Sequence, residues 1–140
     1  MTAKPTSKAV KPFRIVVVED DRVVYTGLNI LLKHYNYEVD VAETLADARK
    51  LLTRPADLVC LDLTLPDGDG TDLLAEIKRK GVVPVVVTTG CEDPIRLRRV
   101  RQQMPELLLK KPIDFLQLLE CVQRHAVAAV PVGAKSGSLF

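Results

Sequence analysis

The sequence has no tryptophan, and aromatic residues make up only 4% of its 140 positions. A core built from it must therefore be aliphatic, from Val, Leu, Ile and Ala. Cysteine is sparse: Cys60, Cys91 and Cys121 are the three present. An odd number, widely spaced and without C-x-x-C, argues against a disulfide framework or a zinc site and makes a reducing compartment the default. Net charge is also scarce, since 20 Lys and Arg against 18 Asp and Glu leave +2. That balance gives no bulk-charge argument for nucleic acid or a membrane surface. No apolar run approaches the roughly 20 residues that span a bilayer. Lys4, Lys8 and Lys11 are not followed by an apolar stretch of signal-peptide type, because Ile15–Val18 is short and runs into acids. The expectation is a cytoplasmic chain with no membrane segment.

What is present suits one packed globule. Hydrophobic residues make up 47%, the mean hydropathy is +0.10, and a chain of this length buries roughly two-thirds of its unfolded surface. Residues 1–12, rich in Thr, Ser, Lys and Pro, are expected to be a flexible extension. Residues 13–128 are expected to be the domain, and 129–140 a flexible tail.

From Phe13 a simple rhythm begins. The apolar runs Ile15–Val18, Tyr37–Val41, Leu58–Leu63, Val82–Val87 and Leu107–Leu109 alternate with amphipathic stretches of helical length. Three runs, 15–18, 58–61 and 82–87, are nearly continuous, as strands buried on both faces are. The 37–41 run carries Glu38 and Asp40 and suits a strand nearer an edge. Helical spacing joins Val24, Leu28, Leu31 and Leu32, then Leu45, Ala48, Leu51 and Leu52, then Leu73, Leu74 and Ile77. Ile95, Leu97 and Val100 give a weaker fourth helix, and Phe115, Leu118, Leu119 and Val122 a fifth. Thr44 and Asp114 are expected N-caps, and Gly81 the stop of the third helix. Five strands alternating with five helices predict a doubly wound α/β domain with a parallel sheet covered on both faces.

In such a sheet, ligands bind beyond the carboxyl ends of the strands. The first strand runs into Glu19-Asp20-Asp21, the third into Asp62, the fourth into Thr88-Thr89-Gly90 and the fifth into Lys110-Lys111-Pro112. Clustered carboxylates repel unless a cation intervenes. Mg²⁺, which takes one or two carboxylates, waters and phosphate oxygens, answers that need. A lysine adds a fixed positive charge for a phosphoryl oxygen and a threonine hydroxyl a donor. Among such groups a carboxylate can attack phosphorus. Each residue alone has a plainer reading: a solvated acidic loop, a turn acid, a helix cap, a surface lysine. Four strand ends coinciding outweigh those readings.

The sequence here resembles the receiver domain of bacterial response regulators, from about Phe13 to Arg124. The resemblance is carried by Arg-Ile-Val-Val-Val-Glu-Asp-Asp, Leu-Asp-Leu-Thr-Leu-Pro-Asp-Gly-Asp-Gly, Pro-Val-Val-Val-Thr-Thr-Gly and Lys-Lys-Pro-Ile-Asp, in that order. It implies a flavodoxin-like (βα)5 fold with strand order 2-1-3-4-5. Glu19 and Asp20 match the Mg²⁺-holding acidic pair, Asp62 the phosphoacceptor, and the backbone carbonyl of Thr64 a third metal contact. Thr89 matches the switch hydroxyl, Gly90 the small residue that leaves the phosphate accessible, and Lys111 the family lysine. The Lys111–Pro112 bond is expected to be cis, a form that costs little before proline. Asp21 takes no ligand role. The implied partners are a histidine kinase or histidine phosphotransfer protein as donor, and a downstream protein that meets the fourth helix, fifth strand and fifth helix. The chain is expected to be a monomer or a phosphorylation-dependent dimer, to bind no nucleic acid directly, and to catalyse only its own modification and hydrolysis.

Three features depart from the family pattern. Asp62 and Thr89 lie only 27 positions apart, a shortening assigned to the end of the third helix, residues 78–81. Leu108 stands where the family carries an aromatic partner for the switch threonine. Cys91 stands two after Thr89, a position that tunes dephosphorylation. Arg96, Arg98, Arg99 and Arg101 read as a solvated basic helix or a partner surface. His34 and His125 read as surface or partly buried structural residues, and Cys60 as core. One alternative is a receiver-like binding or dimerisation module that works without phosphorylation. Another is a Mg²⁺-dependent phosphohydrolase, disfavoured because Thr64 stands where a second catalytic Asp is needed.

Overall fold

The computed structural model describes residues 11–129. The extensions expected to be flexible, 1–12 and 129–140, therefore lie almost wholly outside the described residues. In chain order the elements are β1 (Arg14–Val18), α1 (Arg22–His34), β2 (Glu38–Ala42), α2 (Leu45–Leu51), β3 (Leu58–Asp62), α3 (Gly70–Lys80), β4 (Val85–Thr89), α4 (Pro94–Gln102), β5 (Leu107–Lys110) and α5 (Phe115–Ala128). Between β3 and α3 a small antiparallel hairpin pairs Thr64–Leu65 with Gly68–Asp69. The five main strands form one sheet in the order β2-β1-β3-β4-β5, and each neighbouring pair is parallel.

Alternation along the strands divides the core in two. Ile15, Val17, Leu58, Cys60 and Val86 face Leu28 and Leu32 of α1 and Leu118, Cys121 and Val122 of α5. Val16, Val18, Val59, Leu61, Val85 and Val87 face Leu45 and Ala48 of α2, Leu73, Leu74 and Ile77 of α3, and Val100 of α4. The expected aliphatic core is thus two layers, one on each side of the sheet. Helix starts follow capping chemistry. Thr44 accepts from Asp47 N and Asp114 from Leu116 N and Gln117 N, as the sequence predicts. Asp21, Asp69 and Asp93 cap α1, α3 and α4 in the same way.

Some sequence expectations need correction. The run Val82–Val87 is strand only from Val85, and Val82 is 97% exposed. Val85 pairs with Val59 at the start of the β3–β4 register, and Pro84 has no N–H for the ladder. β2 starts at Glu38, since Tyr37 N still bonds Leu32 O at the end of α1. Ile95 is exposed while Leu97 and Val100, three apart on one face, are buried. Gly81 follows α3 as expected, but in extended backbone at φ 172°.

The end of the sheet opposite the strand-end acids is fastened by Arg14, which is 3% exposed. Its guanidinium donates to the carbonyls of Leu51, Arg54 and Pro55 and to Asp40, and its backbone N–H donates to Asp57. The α2–β3 connection is thereby tied to the two strands at the sheet's edge. No described helix is long and apolar enough to cross a membrane.

Candidate functional site

The parallel register carries β1, β3 and β4 to the same end of the sheet, where their polar residues emerge. Glu19 and Asp20 follow β1 directly, and Glu19 N still pairs with Ala42 O of β2. Asp62 is the last residue of β3, aligned with Thr88 of β4. Thr89 is aligned with Lys110 of β5, and Lys111 N donates to Thr89 O at 2.9 Å. Four chain segments thus meet around one carboxylate.

Glu19, Asp20 and Asp62 each present an oxygen within 4.8 Å of the others. Lys111 Nζ lies 2.9 Å from Asp62 Oδ2 and 3.2 Å from Glu19 Oε2. The other Asp62 oxygen, Oδ1, accepts from Thr64 N at 3.1 Å. Asp62 is 4% exposed and Glu19 2%, whereas Asp20 is open to solvent. Burial, opposed by the Asp21 N–H and by Lys111, pushes the Glu19 carboxyl up to about 7. Burial works against the Lys111 charge too, but its bonds to Asp62 and Glu19 outweigh that and raise its pKa.

The donor set suits a hard divalent cation: three carboxylates with one lysine leave an excess of negative charge. Glu19 supplies a sharper indication. Its Oε1 is buried without a hydrogen-bond partner. Lys111 Nζ is 3.0 Å away, an ion-pair distance without hydrogen-bond geometry. Ion-paired but without a hydrogen bond, this buried oxygen keeps lone-pair capacity for a further donor or a bound cation.

Thr89 is fully buried, and its Oγ1 accepts from Cys91 N at 2.9 Å. A hydroxyl used as acceptor can still donate its proton. Cys91 Sγ accepts in turn from Asp93 N at 3.4 Å, linking β4 to the start of α4. At Gly90 an added Cβ would meet nothing within 4 Å, so the end of β4 is open there. Leu108, in the family's aromatic position, is half-buried against the α2–α3–α4 side of the core. The Lys111–Pro112 bond is cis as expected. Asp21 accepts from Val23 N and Val24 N, a capping role that leaves it outside the cluster.

Several residues that shape the site carried no assigned role in the sequence. Gly70 N donates to Leu63 O at 2.7 Å, and a Cβ there would collide with the Asp62 carbonyl and Leu63 Cα. Asp67 accepts from Leu45 N and Ala46 N, capping α2 from the loop after β3. Those contacts lower the Asp67 pKa, the Leu45 bond most. Arg96, expected on a solvated face or a partner surface, donates within the chain to Leu63 O and Asp69 Oδ1, both at 3.0 Å. The Asp-Gly-Asp-Gly run carries the residue types of a turn and a helix start, but nothing local to Arg96 points to partners 27 and 33 residues away. Cys60 lies in the core, where burial pushes its thiol up to about 12. His34 is exposed and stacks edge-on to Tyr35, and His125 lies 3.3 Å from Glu106.

Comparison with known proteins agrees with this geometry. The family pattern described as response regulator receiver domain matches residues 15–123. The response regulator ArlR of Staphylococcus epidermidis is 29% identical over 106 residues, which cover 75% of this chain and 48% of that protein. The KDP operon transcriptional regulatory protein KdpE of Escherichia coli is 30% identical over 124 residues, 84% of this chain and 54% of that one. The chain thus spans about half the length of these curated relatives. The non-phosphorylated HemR receiver domain of Leptospira biflexa superposes with a TM-score of 0.75 at 33% identity, over 86% of this chain and 98% of that one. A CheY-like receiver domain protein of Methanospirillum hungatei shares the fold, with a TM-score of 0.76 at 24% identity over 81% of this chain and 93% of that one. With the family pattern covering most of its length and its acids, threonine and lysine gathered at the strand ends, the chain belongs to the response regulator receiver domain family of two-component signal transduction.

Proposed function

We propose that Asp62 is the phosphoacceptor, that Glu19, Asp20, Asp62 and the carbonyl of Thr64 hold Mg²⁺, and that Thr89 and Lys111 attend the incoming phosphoryl group. The carrying observation is the Lys111–Asp62–Glu19 cluster, in which a buried carboxylate oxygen of Glu19 lacks a hydrogen-bond partner. Bound there, Mg²⁺ neutralises charge on phosphoryl oxygens that approach a carboxylate-rich site.

The donor is a phosphohistidine on a histidine kinase or phosphotransfer protein. An Asp62 oxygen attacks phosphorus; the P–O bond forms as the P–N bond breaks, and the imidazole leaves with the bonding pair and takes up a proton. Thr64 N–H orients the carboxylate, Lys111 shifts its charge toward a phosphoryl oxygen, and the Thr89 hydroxyl donates to another. Attack of water on the phosphorus forms a new P–O bond as the P–O bond to Asp62 breaks, releasing inorganic phosphate and returning the carboxylate. The domain acts on no other substrate in this reading and works in the cytoplasm. The modified state shifts a conformational equilibrium that a downstream protein reads at α4, β5 and α5.

The test is intact-mass spectrometry after incubation with acetyl phosphate. Wild type should gain one phosphoryl group only with Mg²⁺, and Asp62→Asn none. Labelling that persists in Asp62→Asn would remove the site assignment. Leu108 favours one second reading, a binding module that works without phosphorylation, because an aliphatic side chain replaces the aromatic partner. That reading predicts no labelling even from a phosphohistidine donor, and partner binding unchanged in Asp62→Asn.

A further inference from the structure

The loop after β3 is anchored on two sides. Asp67 holds the start of α2, and Arg96 reaches from the first turn of α4. One Arg96 nitrogen, Nη2, makes both bonds, to Leu63 O and Asp69 Oδ1, while Nε is buried without a hydrogen-bond partner. Both acceptors are engaged from the loop side as well: Gly70 N donates to Leu63 O, and Thr71 N to Asp69 Oδ1. Arg96 therefore sits on a node that fixes the loop at its two ends.

Leu63 O and Thr64 N–H belong to the same rigid peptide unit. Its oxygen is gripped by Arg96 and Gly70, and its N–H holds Asp62 Oδ1 at 3.1 Å. Rotation of that plane is the direct way to release the carboxylate, and a cation on the oxygen opposes rotation while strengthening the N–H as a donor.

We propose that Arg96 is a positioning residue for Asp62, acting through the Leu63–Thr64 peptide and linking α4 to the carboxylate. The inference rests on Asp62 being the phosphoacceptor. It places in Arg96 a link between site and α4 in a chain that has Leu108 where the family has an aromatic residue. The same link runs both ways: a partner that moves the start of α4 changes how Asp62 is held.

The experiment uses the full chain with Arg96→Met, which keeps an unbranched apolar stem, and Arg96→Lys, which keeps a cation. Arg49→Met is the control, because it removes a comparable guanidinium–carboxylate pair, Arg49–Glu76, whose hydrogen bonds do not involve Leu63, Thr64 or Asp69. Two readouts are taken: the rate of labelling by acetyl phosphate with Mg²⁺, and hydrogen exchange of the Thr64 amide. Arg96→Met should slow labelling about tenfold and speed Thr64 exchange by a similar factor. Arg96→Lys should recover part of both, and Arg49→Met should change neither by more than about twofold. Wild-type labelling and Thr64 exchange in both Arg96 variants would overturn the proposal. If the wild type is never labelled, the phosphoacceptor reading fails by itself, and Thr64 exchange still decides whether Arg96 holds the peptide.

Discussion

Lys111 Nζ lies 2.9 Å from Asp62 Oδ2, although 49 residues separate the two in the chain. The same ammonium touches Glu19, 92 residues away. The strand order makes this contact: β3 and β5 flank β4, and their carboxyl ends face one way. Here the lysine pairs with the carboxylates; in the proposed transfer it would shift to the phosphoryl group. Lys111→Met is expected to lower the labelling rate by about 10²–10³, the usual loss when one charged donor to a transition state is removed. Initial rates with acetyl phosphate and Mg²⁺ measure it, and a rate within threefold of wild type would strip Lys111 of that role.

Mg²⁺ affinity should depend on pH near neutrality. Glu19 has its pKa raised to about 7, chiefly by burial. It must lose its proton to bind a cation, so binding is strongest above pH 7. Below it, affinity should weaken by up to about tenfold per pH unit. Calorimetric titration at pH 6 and pH 8 measures the difference and the proton released. Equal affinity at both values would argue against Glu19 as a ligand.

Gly70→Ala should damage fold and site together. Its Cβ would strike the Asp62 carbonyl and Leu63 Cα, so the loop must shift. A loss of about 1–3 kcal/mol is expected from such overpacking, with slower labelling. Gly90→Ala, where a Cβ meets nothing within 4 Å, should keep wild-type stability. Urea unfolding of the two variants separates a steric need for glycine from mere smallness.

Arg14→Met should reduce stability without touching the chemistry. It strands three carbonyls and weakens the hold on Asp40, which is partly exposed. Roughly 2–4 kcal/mol should be lost. The labelling rate below the unfolding transition should stay that of wild type, because Arg14 lies at the opposite end of the sheet from Asp62.

Cysteine reactivity should discriminate among the three thiols. Cys60 and Cys121 are buried, and burial raises both pKa values, that of Cys60 to about 12. Cys91 is partly exposed. An alkylating reagent at pH 8 should modify Cys91 first in the folded protein, as peptide mass mapping would show.

The layered fold and the gathering of the acids were legible because they follow from periodicity. Continuous β-branched runs fix buried parallel strands, and parallel strands bring their carboxyl ends to one side. The strand-end stretches 19–21, 62, 88–90 and 110–112 could thus be named together from position, and the order of the family's motifs singled out Glu19, Asp20, Asp62, Thr89 and Lys111 within them. Element limits were less secure where pairing, not hydrophobicity, decides: Val82 reads as strand yet lies outside the ladder. The tertiary structure alone decided how the site is held. Arg96 belongs by sequence to a basic helix, and its partners Leu63 O and Asp69 come from a loop 27 to 33 residues earlier. Gly70 is required by a backbone that passes beside it, and Glu19 has its raised pKa because neighbouring strands exclude water. Periodicity is a local property, readable along the chain. A carbonyl's second partner, a steric limit at one Cα and the desolvation of one carboxyl arise only when distant segments share the same few ångströms.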